Sequence, residues 1–182
     1  MTTLATIIRD IADYLKEFAS TKPIHKTFQP GIGPFGEPQI VRSIADGLGS
    51  KGHNCKVKRT PDLEVGSKDW ALEFKIARPF GDNGIEAENW SVNLLHPYSG
   101  NTSSIGDAIK LQALADYHHK AVVVIGYEHD PARISLQPLI AAFEKVAIDV
   151  VGIRLGTRIE EIRIDLVHPA HQVVRCFAWE VG

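Results

Sequence analysis

Asp62, Glu73 and Lys75 are the residues of this 182-residue chain whose types and spacing suit shared chemistry. They lie in PDLEVGSKDWALEFK, residues 61 to 75, where Gly66-Ser67-Lys68-Asp69 has the composition of a turn. A two-residue loop at 67–68 pairs 66 with 69, and a four-residue loop at 66–69 pairs 65 with 70. Either register sets Leu63 against Leu72 and Asp62 against Glu73. Side chains alternate faces along a strand. One face then carries Leu63, Val65, Trp70, Leu72, Phe74 and Ile76, which belong on a core. The other carries Asp62, Glu64, Glu73 and Lys75. Directly opposed carboxylates, with Cβ atoms about 5 Å apart, repel. A divalent cation reverses the sign of that interaction, and a hard ion such as Mg²⁺, with Mn²⁺ as its substitute, takes carboxylate oxygens while retaining water. Lys75, two residues along the same face, is placed to orient an attacking water or to steady charge on a phosphate. The plain alternative is a hairpin with a charged, solvated outer face.

These residues need elements to hold them. Leu4, Ile7, Ile8, Ile11, Leu15 and Phe18 recur at helical spacing and predict a helix over 3–19. The Pro- and Gly-rich TKPIHKTFQPGIGPFGEP reads as an ordered loop. A second helix is expected over 37–48, with Pro38 in its first turn, an inner stripe of Ile40, Val41, Ile44 and Leu48, and a stop at Gly49. Residues 53–77 read as strands. A long loop follows over 78–103, with a short strand around 90–95. Ser104-Ile105-Gly106-Asp107 resembles a capping box and opens a third helix to about residue 118. Ala121–Ile125 is a run suited to a buried strand. A fourth helix is expected over 138–150. The tail alternates at Ile162, Ile164 and Leu166, turns at His168-Pro169-Ala170-His171 and ends in a strand to Trp179. The order α-α-β-β-β-α-β-α-β-β describes an α/β chain with a mixed central β-sheet flanked by helices.

Pro61-Asp62, followed after ten residues by Glu73-Phe74-Lys75, resembles the signature of the PD-(D/E)xK, or restriction-endonuclease-like, nuclease superfamily. The resemblance implies an αβββαβ core with the two acids on its second and third strands. The core would span about 35–127 of a single domain over 1–182, with the N-terminal helix and a C-terminal β-hairpin as additions. It implies a metal-dependent nuclease that hydrolyses phosphodiester bonds, with DNA as the expected substrate. Asp62 and Glu73 would bind Mg²⁺, the Phe74 carbonyl is a candidate further ligand, and Lys75 would orient the attacking water. Glu37 would assist the metal or the water, since an acid on the inner stripe of the second helix is unusual unless it points at something; dipole-favoured placement at a helix start is the competing explanation. The third helix would supply a further polar residue, Lys110 or Gln112. A non-cleaving binding module of the same fold is the alternative. Double-strand cleavage with one site per chain would favour a homodimer.

Further positions carry weaker expectations. Lys56, Lys58 and Arg59, with Lys51 nearby, form a candidate phosphate-contacting patch, and Arg78 follows the second acidic strand closely enough to join it. Lysines on an edge strand also serve simply to prevent unwanted pairing. Ser104 and Asp107 are read as helix caps. His96, Tyr98 and Asn101 lie in a loop long enough to contact substrate. His118-His119 and His168-x-x-His171 lack a third ligand at matching spacing for zinc.

The bulk numbers bound these readings. Hydrophobic residues make up 44% and charged residues 23%, with a net charge of −2, so nucleic-acid contact would need a local basic patch or a cation. The N-terminal segment does not read as a signal peptide, because Arg9, Asp10 and Asp13 interrupt it. Two cysteines without metal spacing fit a reduced, cytoplasmic protein, and no apolar run has membrane-spanning length.

Overall fold

Apolar residues fill consecutive positions from Ala121 to Ile125, so a strand here must be covered on both faces. In the structure, a computed structural model describing residues 2–21, 30–33, 35–96 and 103–182, this segment lies in the middle of a six-stranded mixed sheet. Strands β1 (Cys55–Val57), β2 (Leu63–Val65) and β3 (Trp70–Ala77) form an antiparallel meander. β4 (His119–Glu128) pairs parallel with β3. That step needs a crossover, which α4 (Ser104–Gln112) supplies. β6 (Val173–Glu180) pairs antiparallel with β4 on one side and with β5 (Ile159–Arg163) on the other.

Alternation along the strands divides the core into two layers. α1 (Leu4–Ser20) and α2 (Glu37–Ser50) set Ile7, Ile11, Leu15, Ile40 and Ile44 against Leu63, Leu72, Phe74 and Val123. On the opposite face α3 (Val92–Leu95), α4 and α5 (Gln137–Lys145) set Leu94, Ile105, Leu111 and Phe143 against Ala71, Val122, Val124 and Trp179. The α1–α2 crossing is close enough to require glycine: a Cβ on Gly47 would lie 2.3 Å from Tyr14 Cδ2.

The hairpin has the register its turn arithmetic predicts, Leu63 opposite Leu72 and Val65 opposite Trp70. Its loop is the four-residue form, with Gly66 and Lys68 at φ 63° and 71° and Asp69 N–H donating to Gly66 O at 2.7 Å.

Other elements differ from expectation. The segment expected as a strand around 90–95 contains the helical turn α3. α4 ends at Gln112 rather than near 118, because the chain must return to the start of β3. There His118 and His119 N–H groups donate to Lys68 and Asp69 carbonyls. α5 ends at Lys145 and continues as a π-helical turn over Val146–Val151, stopped by Gly152 at φ 79°. The first tail strand lies earlier than 162–166, since Asp165 at φ 63° turns the chain and Leu166 leaves the ladder for the core. The C-terminal strand is no appendage: β6 is interior to the sheet. Among the described residues no helix is long and apolar enough to cross a membrane.

Candidate functional site

β2 is only three residues long, and its ladder with β3 stops at the Leu63–Leu72 pair. Two β3 amides beyond that point, Phe74 N–H and Ile76 N–H, therefore need other acceptors. Asp62 Oδ2 accepts from Phe74 at 2.8 Å and Glu37 Oε2 accepts from Ile76 at 3.2 Å. Asp62 arrives from the turn into β2, and Glu37 is the first residue of α2. Two side-chain carboxylates thus continue the sheet edge where the neighbouring strand has ended, and this anchors both of them.

Glu73 and Lys75 project from β3 toward α4, and both are buried. Lys75 Nζ donates to Phe74 O at 2.9 Å and to Glu37 Oε1 at 3.1 Å. It also lies 2.9 Å from Asp107 Oδ2, an ion pair without hydrogen-bond alignment. Asp107 Oδ1 in turn accepts from Lys110 Nζ at 2.7 Å. Burial alone would lower the Lys75 pKa, but Asp107 and Glu37 outweigh it and hold the ammonium above its ordinary value. Lys75 is therefore a permanent cation at neutral pH. Burial raises the Glu37 carboxyl against the pull of Lys75.

Glu73 is the unsettled member. Burial, then the charges of Asp62 and Asp107, push its carboxyl up to about 9. Asp62 lies close enough for its charge to be, after burial, the second cause of that rise. Glu73 Oε1 is buried with no protein partner, which is costly unless something else satisfies it. Four carboxyl groups meet two lysines in this cluster, leaving two negative charges if every group is ionised.

A divalent cation fits that imbalance and the orphaned oxygen. Among the described residues no group of three or more His, Cys, Asp or Glu side chains is gathered to enclose a metal ion. The carboxylates that would be left to such an ion are Asp62 and Glu73, a pair that would suit Mg²⁺, an ion that commonly binds through one or two carboxylates and keeps its remaining waters. Glu37 stands apart from that pair: Lys75 and the Ile76 amide occupy its two oxygens, so it holds the lysine. The Phe74 carbonyl likewise already accepts from Lys75.

The other predicted residues divide. Lys110 is brought to the site through Asp107. Lys58 is engaged by Glu64 and Tyr117, and it lies over the Tyr117 ring at 5.5 Å. Lys56 and Arg59 are exposed beside it, whereas Lys51 pairs with Asp10 and Asp13 on α1. Gln112 donates to Gly182 O, remote from the cluster. Arg78 is a correction. Its guanidinium donates to the carbonyls of Ile32, Gly33 and Phe35 and lies over the Tyr127 ring, so it braces the segment leading to Glu37 instead of facing a phosphate. Ser103, not Ser104, is the α4 cap, accepting from Gly106 N–H at 3.1 Å. That one-residue shift frees Asp107 from the capping role assigned to it. Its position among the buried residues Ser104, Ala108 and Leu111 is the same inner-stripe signal that singles out Glu37. The His96 carbonyl accepts from Ser103 Oγ; Tyr98 and Asn101 lie outside the described residues.

The histidines of the 168–171 turn are structural. His168 Nδ1 accepts from Ala170 N–H at 3.0 Å, which leaves Nε2–H to meet Asp82 Oδ1 at 3.1 Å. His171 Nε2 donates to Phe80 O at 2.8 Å, and the two rings stack at 4.1 Å. They fasten the loop after β3. Burial, with the His168 and Arg78 charges, drives the His171 pKa down to about 3, and burial lowers His168 despite Asp82. The folded state thus resists protonation, so this stability is complete above the unfolded value near 6.5 and is lost as pH falls toward 3. Between pH 7 and pH 5 the loss is about 2 kcal/mol, roughly 4–8 °C in melting temperature for a chain this size. A His171→Gln variant should show a shallower slope in the same scans; an unchanged slope would refute the assignment.

Comparison with protein-family models, curated proteins and solved structures returned no match, so the chemistry of this site rests on its own geometry.

Proposed function

We propose that this chain is a divalent-cation-dependent nuclease of the PD-(D/E)xK type that hydrolyses phosphodiester bonds, with DNA as its expected substrate. One observation carries the reading: the Asp62 charge bears on the Glu73 carboxyl, two residues from Lys75 on β3, and Glu73 Oε1 is buried and unpartnered. The α2-β1-β2-β3-α3-α4-β4 order supports it, since apart from the four-residue α3 this is the αβββαβ sequence of elements that the resemblance implies.

Asp62 and Glu73 would hold Mg²⁺, which when bound neutralises phosphate charge and lowers the pKa of a coordinated water. Lys75 acts as a cation and not as a base, because its two carboxylate partners keep it protonated. Its N–H groups orient the attacking water and meet charge developing on the phosphate oxygens. Glu37 and Asp107 keep the amine aimed, since a catalytic group contributes through pre-set geometry. Lys110, more exposed than Lys75, stands where it can contact a phosphate of the bound strand. A module that binds without cutting is the second reading, favoured by the absence of a third ligating side chain among the described residues.

The two readings separate in one assay. Purified protein is incubated with plasmid and short DNA in Mg²⁺ or Mn²⁺, alongside Asp62→Asn. The asparagine keeps an oxygen for the Phe74 amide but loses the charge, so the fold should survive, as a thermal melt will show. Cation-dependent cleavage that falls by about 10²-fold or more in the variant supports the nuclease. Binding without cleavage in the wild type supports the module, and wild-type cleavage by Asp62→Asn rules the mechanism out.

A further inference from the structure

Glu73, Lys75 and Asp107 are 4%, 8% and 1% exposed, so the reacting groups lie beneath the surface. Glu37 and Asp62 reach a surface depression. Both line a cleft between the start of α2 and the β1–β2 connection. Any phosphate that reaches Lys75 through this opening brings its neighbouring sugar and base against the cleft walls.

Those walls are uneven in a way that discriminates between substrates. Pro38 and Val41 of α2 face Val57 of β1 across the cleft, and all three are apolar. Val57 is 41% exposed at the end of an edge strand, so its apolar surface is open to whatever enters the cleft. Arg42 lies on the same wall, exposed, and among the described residues it has no ion-pair partner. Lys58 completes the lining, but Glu64 already meets its charge. The cleft therefore offers one uncommitted cation beside an apolar surface.

A base-paired strand presents mainly charged backbone to such a surface, because its bases are stacked and turned inward. An unpaired strand can lay a sugar and a base face on apolar side chains while its phosphates meet the cation. We infer that the cleft is the entry channel for an unpaired nucleic-acid strand, so the site prefers single-stranded or frayed substrate over intact duplex. This rests on the nuclease reading for the chemistry but not for the binding.

The test uses the full chain in Mn²⁺ with a mixed-sequence DNA oligomer, offered single-stranded and as its duplex, and with the RNA strand of the same sequence. If the protein cuts, KM is measured for each. If it does not, Kd is measured by fluorescence anisotropy under the same conditions, so failure of the nuclease reading leaves this inference testable. Single strands should bind about tenfold more tightly than the duplex. Val57→Glu and Arg42→Glu should each weaken single-strand binding about fivefold or more, whereas Lys16→Glu, a charge reversal on the exposed side of α1, should not. The DNA and RNA arms show which backbone the channel takes. Equal or tighter binding of duplex, or wild-type binding by both cleft variants, would overturn the inference.

Discussion

Lys75→Met is expected to lower cleavage by about 10²–10⁴-fold, the range for losing a positioned charged or proton-handling group. Methionine conserves the length and most of the volume of the side chain, so the effect isolates the ammonium. Removal of that charge has a structural consequence as well. Glu37 Oε1 and Asp107 Oδ2 both lose the cation between them. Asp107 is almost fully buried and keeps only Lys110. Loss of one partner from a buried ion pair costs about 3–5 kcal/mol, reduced here because Lys110 remains and Glu37 can protonate. Melting temperature should therefore fall, and kinetics should be measured well below the new midpoint. Lys75→Arg should restore stability better than activity, since a planar guanidinium cannot occupy the compact geometry of an ammonium bonded to Phe74 O and Glu37 and ion-paired with Asp107. Activity within a few-fold of wild type in Lys75→Met would show that Lys75 serves the fold alone.

Glu73→Gln should stabilise the protein at alkaline pH while removing its affinity for cations. The sign follows from linkage. The Glu73 carboxyl is raised to about 9 in the fold, so the folded state binds more protons than the unfolded state above the model-peptide value near 4.5. The stability this group contributes is full below about 4.5 and is lost as pH climbs through 9. Glutamine imitates the neutral acid at every pH, so the gain over wild type should grow between pH 6 and pH 9. Linkage bounds that growth at about 4 kcal/mol, or roughly 8–16 °C in melting temperature. Titration calorimetry with Mn²⁺ should show the complement. Wild-type affinity strengthens with pH, because the cation displaces the proton that the raised Glu73 carboxyl carries and releases it to the buffer. The variant should give no specific heat. A Glu73→Gln protein that is less stable than wild type at pH 9, or that still binds Mn²⁺, would contradict the account of this carboxyl.

The hairpin was legible because a strand has a period of two and its turn tolerates few registers. Leu63 opposite Leu72, Val65 opposite Trp70 and an apolar reverse face all follow from Gly66-Ser67-Lys68-Asp69 and alternation. The amphipathic first helix and the doubly buried β4 were legible for the same kind of reason: local periodicity reports which faces meet a core. Helix ends were less so, because α4 stops where tertiary geometry makes the chain return to β3, and nothing in ALADYHH marks that point.

What the sequence by itself determined was the hairpin register, the sharing of one β3 face by Glu73 and Lys75, and the layered sheet beneath. Only the tertiary structure decided how those groups are employed. It bound Glu37 and Asp62 to β3 amides that β2 is too short to reach, drew Asp107 and Lys110 in from α4, and turned Arg78 away to brace the segment before α2. The contacts made by Glu37 with Ile76, Lys75 with Asp107 and Arg78 with Gly33 join residues 32 to 45 positions apart. Periodicity carries no information at that range: a side chain's partner depends on where elements pack, and packing is settled by the whole core at once.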